Sequence, residues 1–178
     1  MDPKAASCHH FYFHDTLSSK NPSAVEAAEA SMTKKSPFLL FGLLNIFDDL
    51  LTKGLNPPPC LWVELKPQGL YGSAGQQELS LLVAMSFVFT TGKFNGSSLT
   101  ILGRNAALQP LREMPIIGGT GAFRLARGFV IAKTYFLNFT TGDAIVKYHA
   151  VAIHYGVHSL SEGHICWGIN TLESFQFP

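Results

Sequence analysis

The sequence predicts an all-β fold, an antiparallel barrel or sandwich of about eight strands. Apolar and polar residues alternate along much of the chain, which is the pattern of strands with one buried face. Short turns containing Gly, Ser and Thr separate these stretches, and little of the chain has the period of a helix. The 14 Phe and 5 Tyr residues suit a β-rich interior or an aromatic pocket.

The first strand begins at Phe11 and is followed by a long polar segment. Phe11, Phe13 and Asp15 share one face of this strand, because successive side chains of a strand point to opposite faces. The run Ser18–Lys35 is predicted to be a loop, within which Val25–Glu29 could form a helical turn. If the two Phe side chains point inward, the Asp15 carboxyl does too.

The second strand is predicted at Phe38–Phe47, and the three prolines after Asn56 indicate a turn because proline cannot pair inside a sheet. Six more strands are predicted at Leu61–Tyr71, Glu78–Thr90, Ser97–Asn105, Met114–Phe123, Gly128–Phe139 and Ala144–Tyr155. Several of them are apolar on both faces. One face can fill the interior of a barrel, and we expect a second subunit to cover the other.

The run Gly103–Gly128 combines four arginines with many apolar residues and a cluster of glycines. Glycine inside a strand pattern indicates a bulge, a bend or the close approach of another backbone. A guanidinium beside a strand core is unfavourable unless it meets an anion or a polar ligand. The run therefore predicts a fixed positive charge near an apolar surface.

Composition limits the possible classes of function. The 178 residues match one domain of ordinary size, and 47% hydrophobic with 14% charged residues excludes a disordered chain. A net charge of +1 without basic clusters argues against a nucleic-acid partner. No stretch has the length of a membrane span, so no membrane partner is expected.

The cysteines and histidines predict no metal site. Three cysteines without metal or redox spacing imply no disulfide framework, although a Cys8–Cys166 bridge and free thiols both remain open. Histidines near the two ends of the chain could converge only if the terminal strands pair. No pair of them has the spacing of a known ligand set.

Two sequons bear on localisation. Asn95-Gly96-Ser97 and Asn138-Phe139-Thr140 are potential N-glycosylation sites, which occur in secreted proteins. The first ten residues lack the apolar core of a secretory signal. We therefore expect a cytoplasmic protein if the N-terminus is as given, and a secreted one if the N-terminus is truncated.

Several short motifs, in the same order, resemble the plant dirigent protein family. The matching segments are Phe11–Asp15, Asp48–Gly54, Gln68–Tyr71, Phe94–Leu99, Gly103–Asn105, Arg112–Gly128, Gly142–Tyr148 and His154–Tyr155. The resemblance implies an eight-stranded antiparallel up-and-down β-barrel of the allene-oxide-cyclase-like type over residues 11–155. An N-terminal extension (1–10) and an irregular C-terminal tail (156–178) would flank it. It also implies a secreted, apoplastic homo-oligomer, with a trimer as the family's usual form and a dimer as the alternative, and no metal or organic cofactor.

The resemblance also implies a function. Dirigent proteins bind phenylpropanoid-derived intermediates and fix the stereochemistry of the product. We first expect stereoselective coupling of two phenoxy radicals of a monolignol such as coniferyl alcohol, with the radicals made by a separate oxidase (a laccase or peroxidase). The alternative is an isoflavanol dehydratase that forms a pterocarpan through a quinone methide. A further alternative is a barrel that carries a small phenol without chemistry.

Carried over by position, the family's site falls on seven residues. The resemblance assigns catalytic roles to Asp15, Asn105 and Arg112, and substrate contacts to Phe13, Tyr71, Thr134 and Val146. Burial would raise the pKa of Asp15, which suits a proton donor or shuttle. Arg112 could stabilise negative charge on a substrate oxygen. The alternatives are structural: Asp15 capping the turn into the Ser18–Lys20 loop, and Arg112 in an ion pair with Glu113, Asp48 or Asp49.

Asn105 departs from the pattern of lignan-forming relatives, which usually carry aspartate there. A neutral amide can orient a ligand but cannot accept a proton, which argues against pinoresinol-type coupling. The Gly-Arg-Asn motif resembles the branch that includes pterocarpan-forming members. The structural alternative is that Asn105 is simply a turn residue before Ala106.

Overall fold

The computed structural model describes residues 4–35, 38–52, 54–55, 65–157 and 167–168. The strands are β1 Lys4–Asp15, β2 Ala24–Glu29, β3 Leu43–Asp48, β4 Leu50–Thr52, β5 Leu65–Ser73, β6 Leu81–Phe89, β7 Ser98–Asn105, β8 Arg112–Thr120, β9 Arg127–Leu137, β10 Ala144–Val157 and β11 Trp167–Gly168. Three 3₁₀ helices lie at Thr33–Lys35, Gly92–Phe94 and Gly121–Phe123. Within the described ranges no helix is long and apolar enough to cross a membrane. The all-β prediction is confirmed.

The strands form one continuous antiparallel sheet, which curls so far that the strands at its two ends pair with the same segment of the chain. Strands β5 to β10 pair in chain order, and β10 pairs with β1. At one end β1 pairs with β4, and at the other end β5 pairs with β3. Only Asp49 separates β3 from β4, so the segment Leu43–Thr52 joins both ends of the sheet.

The joined sheet has eight strand positions. Two positions are each occupied by two strands, β1 with β2 and β3 with β4. The other six positions are occupied by one strand each, β5 to β10. Strand β2 pairs with β3 in the same way that β1 pairs with β4. The predicted eight-stranded antiparallel barrel is confirmed, with two of its strands each broken into two pieces.

The core lies inside the curled sheet, and alternate side chains along its strands belong to it. Phe11 and Phe13 of β1 are buried, as are the alternate residues of β6 from Val83 to Phe89. The rings of Phe11 and Phe87 meet edge to face with centroids 4.9 Å apart. Burying each such side chain stabilises the fold by about 1.5–3 kcal/mol. The inward face expected for the first strand is confirmed.

Aromatic rings close the end of the barrel away from Asp15. Phe123 packs against Phe94 and Phe89, with ring centroids 4.7 and 4.9 Å apart. His154 meets Phe123 edge to face at 4.9 Å. The interior at this end is therefore filled by side chains.

Two expectations for the segment between β1 and β3 are wrong. Val25–Glu29 forms strand β2 and not a helical turn, because its backbone pairs with β3. Its local composition suggests a helix, but tertiary pairing overrides local propensity. The next strand begins at Leu43 and not at Phe38, because Leu40 and Gly42 adopt positive φ angles of 51° and 88° that end an extended strand.

The terminal segments also take part in the sheet. Strand β1 starts at Lys4, opposite Tyr155, so most of residues 1–10 pair with β10. Strand β10 runs to Val157, and the two residues of β11 pair with its end. The rest of the C-terminal tail and the predicted strand start at 61–64 lie outside the described residues.

The glycine cluster produces a bulge between β7 and β8. Thr100 pairs with Gly118, but the next residue, Ile101, pairs with Ile116, so Ile117 is an extra residue in β8. At Gly119 a Cβ atom would lie 2.4 Å from the backbone oxygen of Ser98. The predicted bulge and close backbone approach are both present.

The two neighbouring glycines should respond differently to alanine. Gly119→Ala places a methyl group against the Ser98 carbonyl and Phe123, which we expect to lower the free energy of unfolding by roughly 1–3 kcal/mol. Gly118→Ala is the control, because its Cβ would meet no atom closer than 4.0 Å. Denaturant unfolding at one protein concentration measures both variants. Equal stability of the two would contradict the close contact at Gly119.

Candidate functional site

A cavity of about 380 Å³ opens at the end of the barrel where β1 finishes and β10 begins. The structure brings all seven residues predicted from the sequence to its wall. They are Phe13, Asp15, Tyr71, Asn105, Arg112, Thr134 and Val146. The lining is mostly apolar and aromatic, with few polar groups, as in sites for small organic ligands.

One wall of the cavity carries an acid. Asp15 on β1, Asn45 on β3 and Tyr71 on β5 come from neighbouring positions of the ring. Burial raises the pKa of Asp15 to about 6, and the charge of Asp143 adds to the increase, while the nearby Tyr71 hydroxyl opposes it. Burial also raises the pKa of Tyr71, so its phenol stays neutral.

Two acceptor oxygens on this wall have no hydrogen-bond partner within the described residues. They are Asp15 Oδ1 and Asn45 Oδ1, and both atoms are buried. Buried polar atoms are normally paired, and exceptions are common at binding sites. The wall can therefore accept donors from a ligand, and a protonated Asp15 can also donate.

A second buried carboxyl, Asp49, lies near Asp15 but does not line the cavity. It is 1% exposed, accepts a hydrogen bond from the Ser23 hydroxyl, and has Oδ2 unpaired among the described residues. Burial raises its pKa to about 8, and the nearby charges of Asp15 and Asp48 add to the increase. The burial of Asp49 could have been predicted from the period of two along the strand, because Phe47, Asp49 and Leu51 are all buried.

Another wall carries a buried cation. Arg112 on β8 is 5% exposed, and its Nε donates to Asn105 Oδ1 on β7 at 2.9 Å. Its Nη1 donates to Thr134 Oγ1 on β9 at 2.7 Å and to the Gln109 carbonyl at 3.2 Å. Burial lowers the pKa of Arg112, but a guanidinium keeps its charge in proteins.

No carboxylate neutralises Arg112 among the described residues. The ion pairs there are Lys34–Glu29 and Arg104–Glu78, both on the surface. Glu113, Asp48 and Asp49, the structural partners considered from the sequence, are described and do not pair with it. Nη2 makes no hydrogen bond within the described residues either, so it is free to bind an oxygen in the cavity.

The structural alternatives for Asp15 and Asn105 are not realised. The turn after β1 is held instead by Asp143, whose Oδ1 accepts from the backbone N–H groups of Leu17 at 2.8 Å and Ser18 at 3.0 Å. The side-chain oxygen of Asn105 is used by Arg112 and not by its own turn.

The two polar walls lie opposite each other. In the ring of eight positions, β1, β3 and β5 are neighbours, and β7, β8 and β9 are the positions directly across. Strands β6 and β10 lie between them on either side. The β6 wall consists of Leu81, Val83 and Met85, and the β10 wall of Ala144, Val146 and Tyr148.

Tyr148 was also missed by the sequence reasoning. It is buried, stacks with Phe11 at 5.7 Å between ring centroids, and lines the cavity. Burial raises its pKa, and the charge of Arg112 partly opposes the increase. Counting two residues on from Val146 along β10 would have found it.

The predicted glycosylation sites lie on turns. Asn95 is exposed after β6, while Asn138 is half-buried at the cavity rim and accepts hydrogen bonds from the backbone N–H groups of Thr140 and Thr141. Glycosylation at both asparagines stays a prediction. Within the described ranges, the one group of three metal-type ligands is Cys8, His10 and His149, outside the cavity.

Comparison with known proteins agrees with this geometry. A family model described as Dirigent-like protein matches residues 7–153. Dirigent protein 23 of Arabidopsis thaliana is 49% identical over 144 residues, which cover 81% of this chain and 75% of that protein. Pterocarpan synthase 1 of Glycyrrhiza echinata is 47% identical over 147 residues, covering 82% and 77%. A solved pterocarpan synthase dirigent protein superimposes with a TM-score of 0.79 at 44% identity over 90% of each chain. The chain therefore belongs to the dirigent family.

Proposed function

We propose that this dirigent-family protein dehydrates an isoflavanol through a quinone methide and directs the ring closure that forms a pterocarpan. The observation that carries the proposal is the pairing of a protonatable acid, Asp15, with an uncompensated cation, Arg112, across an apolar cavity. The pterocarpan synthases among its relatives, two at 46–47% identity and one of similar structure at 44%, support the same reaction class.

The two polar walls suit the two charges that the reaction develops. Protonated Asp15 donates its proton to the leaving hydroxyl, and the C–O bond breaks with release of water. Arg112 holds the phenol oxygen as its phenolate, the proton having passed to solvent, and an electron pair of that oxygen moves into the ring as the quinone methide forms. A second phenol of the substrate then attacks the methide carbon and gives its proton to Asp15, while the first oxygen becomes a phenolate again and takes a proton back from solvent. The net change is the loss of one water molecule.

Asn105 suits this chemistry better than an aspartate would. A carboxylate at this position would lie within reach of the Arg112 Nε, now 2.9 Å from the Asn105 oxygen, and would neutralise the guanidinium. The amide keeps Arg112 oriented and leaves its charge for the substrate. A cation without a counterion in a low-dielectric site stabilises an oxyanion more strongly than it would in water.

Stereoselective phenoxy-radical coupling is the second candidate. The observation that favours it is that the polar groups form two separate walls, so that each wall could hold the hydroxyl of one monolignol. In that role the protein needs a separate oxidase, and the cavity only aligns two radicals. Asp15 and Arg112 would then bind phenols without losing or gaining a proton during coupling.

A paired assay separates the candidates. The protein is given an isoflavanol alone and, separately, coniferyl alcohol with a one-electron oxidant, and product enantiomers are resolved by chiral chromatography. We expect rapid, enantioselective conversion of the isoflavanol and racemic lignan from the second mixture. The reverse result would replace the proposal with radical coupling, and no effect in either would leave a phenol-carrying barrel.

Replacement of the acid should abolish the dehydration. Asp15→Asn keeps the size of the side chain but cannot donate an acidic proton, and we expect the rate to fall about 10²- to 10⁴-fold. In the wild type the active form is the protonated acid, so the rate should be highest below pH 6. It should decrease as the pH rises through about 6, where Asp15 ionises.

Initial rates between pH 4 and 8 measure both effects. Glu78→Gln is the control, because it makes the same change on the outer surface, where Glu78 pairs with Arg104. It should keep the rate and the pH profile of the wild type. An Asp15→Asn variant that retains the wild-type rate would remove Asp15 from the mechanism.

We also propose that the protein is a homo-oligomer, a trimer as in its family. An unbroken row of apolar residues crosses five strands on the outer wall, each the direct cross-strand partner of the next: Val25, Ile46, Leu70, Ala84 and Leu102. The four large side chains are 39–49% exposed. Contiguous apolar surface of this kind is typical of contacts between subunits.

Charged residues in this row should dissociate the oligomer. Ile46→Glu combined with Leu102→Glu would bury carboxylates between subunits, so we expect a monomer in light scattering after size exclusion, where the wild type has the mass of three chains. Ile153→Glu on β10 is the control, because Ile153 is 43% exposed but lies outside the row. A double variant of unchanged mass would exclude the row as the contact surface.

A further inference from the structure

The pairing of the first and last barrel strands brings three soft or borderline ligands together on the outer wall. In the β1–β10 register His10 lies directly opposite His149, and Cys8 is two residues before His10 on the same outward face. Inward neighbours on β1, Phe11 and Phe13, belong to the core, so this cluster is separate from the cavity. Cys8 forms no disulfide within the described residues, and the Cys8–Cys166 bridge considered from the sequence involves a residue outside them.

The three ligand atoms form a compact triangle. Cys8 Sγ lies 3.7 Å from His10 Nε2 and 3.6 Å from His149 Nδ1. His149 Nδ1 lies 3.0 Å from His10 Nε2. Cys8 and His10 are exposed and His149 is half-buried, so an ion can reach the cluster from solvent.

This triangle has the size of one face of a tetrahedral zinc site. Zn–N distances of about 2.0–2.1 Å and a Zn–S distance of about 2.3 Å place ligand atoms roughly 3.3–3.6 Å apart. The observed separations of 3.0–3.7 Å differ from these by a few tenths of an ångström. Small rotations of exposed side chains are enough to complete the geometry.

We propose that Cys8, His10 and His149 form a binding site for a late first-row divalent cation, Zn²⁺ in the first instance. One thiolate and two imidazoles are the ligand types that zinc prefers, and three protein ligands leave the fourth position to water. The site is formed by folding, because His10 and His149 are 139 residues apart in the chain. Metal bound there would link the neighbouring strands β1 and β10.

The same contacts are compatible with hydrogen bonding alone. The Cys8 thiol could donate to His149, and one imidazole could donate to the other, without any metal. A metal site and a hydrogen-bonded cluster respond differently to added zinc. A metal site predicts tight binding at a ratio of one ion per chain and added stability, whereas a hydrogen-bonded cluster predicts neither.

Calorimetric titration of the reduced, chelator-treated full chain with Zn²⁺ tests the proposal. We expect about one ion per chain for the wild type, and at least tenfold weaker binding for Cys8→Ser, His10→Ala and His149→Ala, since even outer-shell partners are typically worth about 10- to 100-fold. His14→Gln is the matched control. His14 lies on the outward face of β1 but bonds Thr52 at 2.8 Å and does not join the cluster, so this variant should bind like the wild type.

Two further readouts distinguish loss of the site from loss of the fold. Zn²⁺ should raise the melting temperature of the wild type and of His14→Gln, but not of Cys8→Ser, while the metal-free proteins melt alike. Co²⁺ should give a thiolate charge-transfer absorption that Cys8→Ser lacks. Equal zinc binding by the wild type and the three ligand variants, or no binding by the wild type, would overturn the proposal.

Discussion

The pairing of a single segment with both ends of the sheet is the constraint on which the rest of the structure depends. Leu43–Thr52 bonds to β5 through its first part and to β1 through its last. This fixes the ring at eight positions, and eight positions decide which strands face each other. The acid of β1 and the guanidinium of β8 oppose each other for this reason. The pairing of β1 with β10 belongs to the same ring, and its register creates the cluster at Cys8.

Burial of the Arg112 charge lowers the stability of the fold, and the closed barrel compensates for this cost. An isolated ion in the interior is destabilising, and three neutral hydrogen bonds to Asn105, Thr134 and Gln109 offset only part of that penalty. The neighbouring strands β7, β8 and β9 hold the guanidinium in place through their own ladder. A residue held so rigidly and so incompletely neutralised indicates a site adapted to a ligand and not to stability.

Much of the fold could be predicted because the period of two reports directly which face of a strand is buried. It placed Phe11, Phe13 and Asp15 inward, and the cavity contains all seven side chains chosen from the motifs. It failed at β2, where five of six residues are exposed and the pairing partner is distant in sequence. The positive φ angles at Leu40 and Gly42 were likewise invisible in the pattern.

The remaining misses have two causes, the alignment of strands and an alternation that was not followed far enough. Cys8 and His149 come together because of the cross-strand register, and the spacing of residues along the sequence does not determine that register. The burial of Asp49 could have been predicted by extending the alternation from Phe47, because Phe47, Asp49 and Leu51 are all buried. Tyr148 could have been found by extending the alternation already accepted for Val146.

The four walls of the cavity are all chemically different, and this has a consequence for a flat intermediate. A planar molecule held between the acid wall and the cation wall presents one side to the aliphatic groups of β6 and the other to Tyr148 on β10. Its two sides therefore meet different groups inside the barrel. Bond formation from one side only then fixes the configuration at the carbon that reacts, so the lining can decide the handedness of that centre without a chiral reagent.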